Sequence, residues 1–325
     1  MTALLDSEFR LPKQVDSTVL ASVRDCAQRF AFEHGRGLAA PTQAAGLVAG
    51  GAIAAGPAAL YEAAYTQRKN RKDSLDAARV AFDTEWADFT LHPESKSPKT
   101  KERSWEAIVK YCDDFTFVRA TVEPNDSLVP AASLADPPFE WPFAVPLTRE
   151  TTKTEFEWPL HPSGQPFIYA GRMDAIVTAA GLTIGLDDKT TSQFKAVGTW
   201  VAGLSMRAQL IGYNWVLRTL IDPNCDSLVV RQGAIRSTGV EWRESPLIPV
   251  SRFLIERWLR TTKDTLETLV RNAARDEWPA VLGDVCVSWS RPCQFLEACR
   301  SRDPEAHLGG FTVRRWNPLL ATDAE

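Results

Sequence analysis

Three ionisable residues on two consecutive strand-like segments form the chemically distinctive feature of the sequence. Asp174 ends the run Ile168-Tyr-Ala-Gly-Arg-Met-Asp, and Asp187-Asp188-Lys189 follows the run Leu182-Thr-Ile-Gly-Leu. Side chains two apart on a strand share a face, so Asp187 and Lys189 point one way and Asp188 the other. The tight connection around Gly181 pairs the segments antiparallel and brings Asp174 beside Asp187. Two carboxylates on one patch repel unless a cation lies between them, and hard oxygen ligands suit Mg2+ or Mn2+. A lysine on the same face orients and polarises a water, or neutralises a developing phosphorane. Together these are the parts of metal-assisted phosphodiester hydrolysis. A lone Asp-x-Lys is ordinarily a solvated strand end; the preceding Gly-x-x-Asp strand makes this combination uncommon. Downstream, Gln209 and Tyr213 lie four apart on one helical face. Gln suits a phosphate-side water or a nucleobase edge, and Tyr can stack or hydrogen-bond. Taken alone, they read more simply as an amphipathic helix with a core tyrosine. Arg172, in the first motif strand, is placed to face a phosphate.

A second constellation is made of cysteines. Cys286, Cys293 and Cys299 follow a Cys-x6-Cys-x5-Cys pattern with Pro292 before the second. A fourth ligand must come from elsewhere, and Cys26, in Arg24-Asp-Cys-Ala-Gln-Arg-Phe, is the natural candidate. Cys112 and Cys225 read as ordinary small residues. The spacing fits a structural zinc or a cubane iron–sulfur cluster, since both accept four thiolates. The wide, irregular separations favour the cluster, because zinc ligands usually come in tight pairs.

The elements that must position these residues read as α/β. Apolar spacing of three and four predicts a helix over 17–34, capped by Asp16 or Ser17, and further helices over 42–70, 73–90 and 102–112. A polar loop, His92 to Lys101, separates the last two. Pro57 is expected to disturb the second helix. From Thr121 prolines and short alternating segments take over, predicting strands over 139–145, 154–158, 166–177 and 182–187. A helix over 205–220, a strand over 227–235 and a helix over 251–275 follow, and the last fifty residues are irregular.

The 325 residues include 37 Lys and Arg against 41 Asp and Glu, a net charge of −4, which excludes nucleic-acid binding by bulk charge. Local basic runs, Arg68 to Lys72 and Lys96 to Arg103, are ordinarily solvated faces but could track phosphates near a cleft. His34, His92, His161 and His307 are scattered without ligand spacing. A composition of 44% hydrophobic and 24% charged residues is ordinary for a globular protein. No apolar run approaches the ~18 residues of a membrane span, and no signal peptide is visible. The expectation is a soluble, cytoplasmic protein with reduced thiols and no membrane partner.

Asp174, Asp187-x-Lys189 and Gln209-x-x-x-Tyr213, with the four cysteines, resemble the iron–sulfur branch of the RecB-like PD-(D/E)XK nuclease superfamily. That branch includes the AddB nuclease domain and the CRISPR-adaptation nucleases. The resemblance implies a restriction-endonuclease-like core with a mixed central sheet and a helical N-terminal part. An iron–sulfur staple would join the first helix to the C-terminal tail. Asp174 and Asp187 would bind Mg2+ or Mn2+, Lys189 would serve the attacking water, and Gln209, Tyr213 and Arg172 would contact DNA. Cys26, Cys286, Cys293 and Cys299 would hold a 4Fe–4S cluster. The chain then divides into a helical region with the first cysteine (1–120), a core sheet and helix (121–245) and a cysteine-rich end (246–325), forming one cooperative unit.

The activity implied is a metal-dependent deoxyribonuclease, an exonuclease acting on DNA ends or single strands. It would serve recombination, repair or replication in a phage or bacterium, alongside recombination or replication proteins. The sequence departs from the family at its N-terminal His/Glu motif, where Ala54 and Ala58 stand and neither can bind metal. Glu62, one turn on, is the nearest substitute. The alternative is therefore a weak or inactive DNA-binding scaffold that keeps the fold and cluster.

Overall fold

The computed structural model describes residues 8–40, 45–87, 97–288 and 291–319. Part of the His92 loop, including Lys96, and the start of the 42–70 helix lie outside them. In chain order the principal elements are α1 (Ser17–Asp25), α2 (Ala45–Tyr61), α3 (Arg71–Ala87), α4 (Lys101–Tyr111), β1 (Phe139–Pro146), β2 (Ile168–Ala179), β3 (Leu182–Thr191), α5 (Val197–Ser205), α6 (Ala208–Leu220), β4 (Ser227–Arg236), β5 (Gly239–Glu244) and α7 (Arg252–Arg275). The protein is α/β with a mixed central sheet and several helices. It resolves into two compact units, each assembled from segments distant in sequence: 1–41, 142–171 and 255–325 in one, 42–141 and 172–254 in the other.

The second unit holds the motif strands. β2 and β3 form an antiparallel hairpin with register Ala175↔Leu186 to Ala179↔Leu182. Its turn is made by Ala180 and Gly181, both at positive φ, as a two-residue hairpin turn following the right-handed strand twist requires. β3 then pairs parallel with β4, from Gly185↔Leu228 to Thr191↔Ala234, and β4 pairs antiparallel with β5. Alternating apolar side chains of these strands, among them Val177, Ile184, Leu186, Val229 and Ile235, bury one face against Leu60, Phe82, Ile108 and Tyr111 of the helices.

α2 runs unbroken through Pro57 and ends in a π-helical turn over Glu62–Thr66. The expected disturbance is absent from the helix path. Pro57 removes one main-chain donor, but the Gly/Ala surface of α2 packs closely: a Cβ on Gly56 would overlap the Ile108 side chain. Burial in that contact offsets a missing hydrogen bond worth about 1 kcal/mol.

In the first unit, Asp16 caps α1 by accepting the Val19 N–H at 2.7 Å. The expected single helix over 17–34 is interrupted at Cys26, whose backbone is extended (φ −164°) before a new turn starts at Ala27. Gln14–Val15 pairs parallel with the start of β2, and Leu38–Ala39 pairs antiparallel with Thr312–Val313. A small core of Phe32, Leu38, Phe295, Ala298 and Leu308 is flanked by Cys293 and Cys299. The expected strand over 154–158 is irregular instead. Thr148 starts a short capped turn at Arg149–Thr152, Lys153 ends it in the left-handed region, and the Trp158 indole donates to Thr152 and Thr154. Local side-chain hydrogen bonds there outcompete strand pairing. Of the principal elements, α5 and β5 passed unread in the sequence. No helix among the described residues is long and apolar enough to cross a membrane.

Candidate functional site

The β2–β3 hairpin delivers the first constellation. Extending its register by one pair sets Asp174 opposite Asp187. The Asp188 main-chain N–H donates to Asp174 Oδ2 at 2.5 Å, and Lys189 Nζ donates to Asp187 Oδ1 at 2.6 Å. Asp187 is 1% exposed, yet its Oδ2 is buried without a hydrogen-bond partner among the described residues. An ionised oxygen left so is costly unless a cation meets it. Burial pushes the Asp174 carboxyl well above the usual carboxylate range; Lys189 opposes this, and Asp187, Asp188 and Glu140 add to it. Burial alone would lower Lys189, but Asp187 and Asp174 outweigh it and raise its pKa, so its ammonium stays charged.

Glu140, on β1, was not anticipated. Its backbone lies in the left-handed region (φ 46°), a conformation that strains a residue with a Cβ, and its carboxylate ion-pairs with Arg172 at 2.9 Å. Burial raises its pKa against the pull of Arg172. The only signal for it was a lone acid in the apolar alternation Phe139-Glu-Trp-Pro-Phe. Arg172 is thus engaged by Glu140. Tyr213 is buried and its hydroxyl donates to the Arg172 main-chain oxygen at 2.8 Å, while Gln209 Nε2 donates to that hydroxyl at 2.9 Å. The Gln209/Tyr213 pair therefore braces the strand that carries Asp174. Ala58 packs against the core of the unit, and the acids whose charges raise Asp174 include Asp187, Asp188 and Glu140.

Asp188 faces a different environment. Burial, the largest influence, raises it to about 7, with Arg231 opposing. Arg231, fully buried on β4, bonds both Asp126 oxygens at 2.9 and 3.0 Å, Glu244 at 2.8 Å, Tyr111 at 3.0 Å and the Tyr61 hydroxyl, and lies over the Phe115 ring. Its sequence signal was one arginine inside an apolar strand.

In the first unit, Cys26, Cys286, Cys293 and Cys299 line one pocket together with Arg29, Ala280, Val281, Leu282, Val285 and Leu296. Burial raises the Cys299 thiol to about 11, and the charges of Cys26, Cys293 and Cys286 add to the rise. The Cys293 N–H donates to the Cys286 carbonyl at 2.7 Å. Cys112 and Cys225 are buried in the second unit. Among the described residues, no three His, Cys, Asp or Glu side chains are gathered as they would be around one metal ion.

The chain matches no family model and no curated protein. Among solved structures it is similar to one titled "Crystal structure of SSO0001", with 20% identity, 32% of this chain and 43% of that chain covered, and a TM-score of 0.21. The chain spans less than half the length of that neighbour, and a likeness of this extent bears on neither fold nor function.

Proposed function

We propose that the chain is a metal-dependent DNA nuclease of the PD-(D/E)XK kind, acting as an exonuclease. One observation carries the reading: Asp174 and Asp187 face each other across a hairpin, Lys189 lies on the same face, and Asp187 keeps a buried oxygen without a partner among the described residues. Asp174 and Asp187 would hold Mg2+ or Mn2+, and such an ion supplies positive charge to the phosphoryl oxygen. Lys189 Nζ, held by Asp187 and charged, donates a hydrogen bond that orients the attacking water or the phosphate. The Asp188 N–H fixes the Asp174 carboxylate, and Gln209 and Tyr213 hold β2 in place.

The pocket of four thiols supports a 4Fe–4S staple within the first unit. Four cysteines lining one pocket are a ligand set that a cubane iron–sulfur core accepts.

A second reading, a DNA-binding scaffold with little activity, is favoured by Ala54 and Ala58, which leave the site two facing carboxylates. Labelled single- and double-stranded DNA incubated with Mg2+ or Mn2+ separates the two. Degradation that disappears in Lys189→Ala is the expected result; tight binding without cleavage in either metal establishes the scaffold.

A further inference from the structure

Arg29 is the one charged residue among those lining the four-thiol pocket of the first unit; the rest of the lining is the cysteines and apolar side chains such as Val281, Val285 and Leu296. Local structure puts it there. The extended backbone at Cys26 ends α1, and a new turn starts at Ala27. That turn is tied to the cysteine by the Phe30 N–H, which donates to the Cys26 carbonyl at 3.0 Å. The Gln28 N–H donates to the Pro279 carbonyl at 3.3 Å, which holds the turn against the segment leading to Val281 and Cys286. Arg29 follows Cys26 by three residues, about one helical turn, and both line the pocket.

A second observation concerns how the guanidinium is held. Its Nε donates to Glu33 Oε2 at 2.8 Å, one turn further on. Among the described residues this is its only hydrogen bond, so the two terminal amino groups keep their donors for another acceptor. Burial lowers the pKa of the half-buried guanidinium, but Glu33 and then Cys293 outweigh it and raise the value. The guanidinium and the Cys293 sulfur are therefore within electrostatic reach of each other.

Four thiolates around a cubane core leave a net negative charge, and each electron taken up enlarges it. Among apolar side chains such charge is costly without a counter-charge. We propose that Arg29 is the counter-charge of the four-cysteine centre, and that its positive charge favours the reduced form of a core bound there. The inference rests on the 4Fe–4S reading of the pocket and adds the residue that sets its reduction potential. Net charge and hydrogen bonds to the sulfurs are the protein's means of setting it. Glu33, paired with the same guanidinium, moderates the effect.

The test is a redox titration of protein purified without oxygen, followed by visible absorption, with an electrode and mediators supplying one electron per core. Iron content is measured alongside. Arg29→Gln should disfavour the reduced form about tenfold, a midpoint potential lower by about 59 mV for a one-electron couple. Arg29→Lys, which keeps the charge, should stay within about threefold of the wild type. Arg149→Gln, an equal change of charge in the same unit at a residue that does not line the pocket, should leave the potential unmoved. If Arg29→Gln holds no iron, the lysine variant decides: a full complement of iron in Arg29→Lys shows that the centre needs the charge, and loss from both variants overturns the proposal. A brown Arg29→Gln protein with the wild-type potential overturns it as well, and does so while leaving the cluster itself standing. Wild-type protein without iron removes the 4Fe–4S reading, and this inference with it.

Discussion

The Asp174 carboxylate accepts the Asp188 main-chain N–H at 2.5 Å, so the hairpin backbone itself fixes one acid against the other. The arrangement holds negative charge in a buried place: Asp174 sits beside Asp187, with Asp188 and Glu140 adding to the field. Lys189 is the cation that offsets it, through Asp187.

Crowding of this kind trades stability for function. Asp174→Asn keeps the shape and an acceptor for the Asp188 N–H but removes a carboxyl that burial makes costly to ionise. In metal-free buffer its melting temperature should rise by about 2–4 °C, the shift expected of roughly 1 kcal/mol in a domain of this size. Mg2+ or Mn2+ should raise the melting temperature of the wild type and leave the variant unmoved, since only a ligand that binds the folded state stabilises it. Differential scanning fluorimetry with and without metal reads both effects. Equal metal shifts in the two proteins would remove Asp174 from the ligand set.

The four-thiol pocket makes a second prediction. Protein purified without oxygen should be brown and contain iron, and Cys293→Ala should lose both colour and iron. The variant should also melt at lower temperature, because a link between Cys26 and the C-terminal cysteines closes a very long loop. Colourless protein with stoichiometric zinc, by metal analysis, would assign the site to a single ion instead.

Arg231 makes a third. It is fully buried and pairs with Asp126, itself nearly inaccessible. Arg231→Met should cost about 3–5 kcal/mol in urea unfolding, because it leaves a buried carboxylate unpaired. The double variant Arg231→Met/Asp126→Leu should recover a substantial part of that loss. A change below 1 kcal/mol in the single variant would show that the network is not what holds this face of β3 and β4.

His34 makes a fourth, in the first unit. Among the described residues neither buried ring nitrogen has a hydrogen-bond partner, and burial lowers its pKa, with Glu33 and Asp16 opposing and Arg29 assisting. A histidine depressed in the folded state takes up its proton in the unfolded chain first. Its contribution is therefore intact above the ordinary value near 6.5 and is lost as pH falls below it, by at most about 1.4 kcal/mol per pH unit. Asp16, raised by burial, titrates with the opposite sign, so the comparison that isolates the histidine is wild type against His34→Phe. Denaturant unfolding between pH 7.5 and 5 should show a steeper loss in the wild type. Parallel curves would refute the assignment.

The local pattern determined more about the β2–β3 motif than about its surroundings. A hairpin's period and turn fix which side chains share a face, so the juxtaposition of Asp187 with Lys189, and of Asp174 with both, was legible from spacing alone. The grouping of Cys26 with three distant cysteines was suggested by counting thiols and by resemblance. Only the fold could decide that they line one pocket, since nothing local links α1 to the tail. Glu140 and Arg231 were invisible for the same reason: each acquires its role from partners brought by other elements. The run 154–158 shows the reverse, a strand pattern overruled by a neighbouring cap. Periodicity encodes contacts within an element and its immediate turn; charge pairing, burial and the convergence of strand ends arise between elements, and the tertiary structure alone sets them.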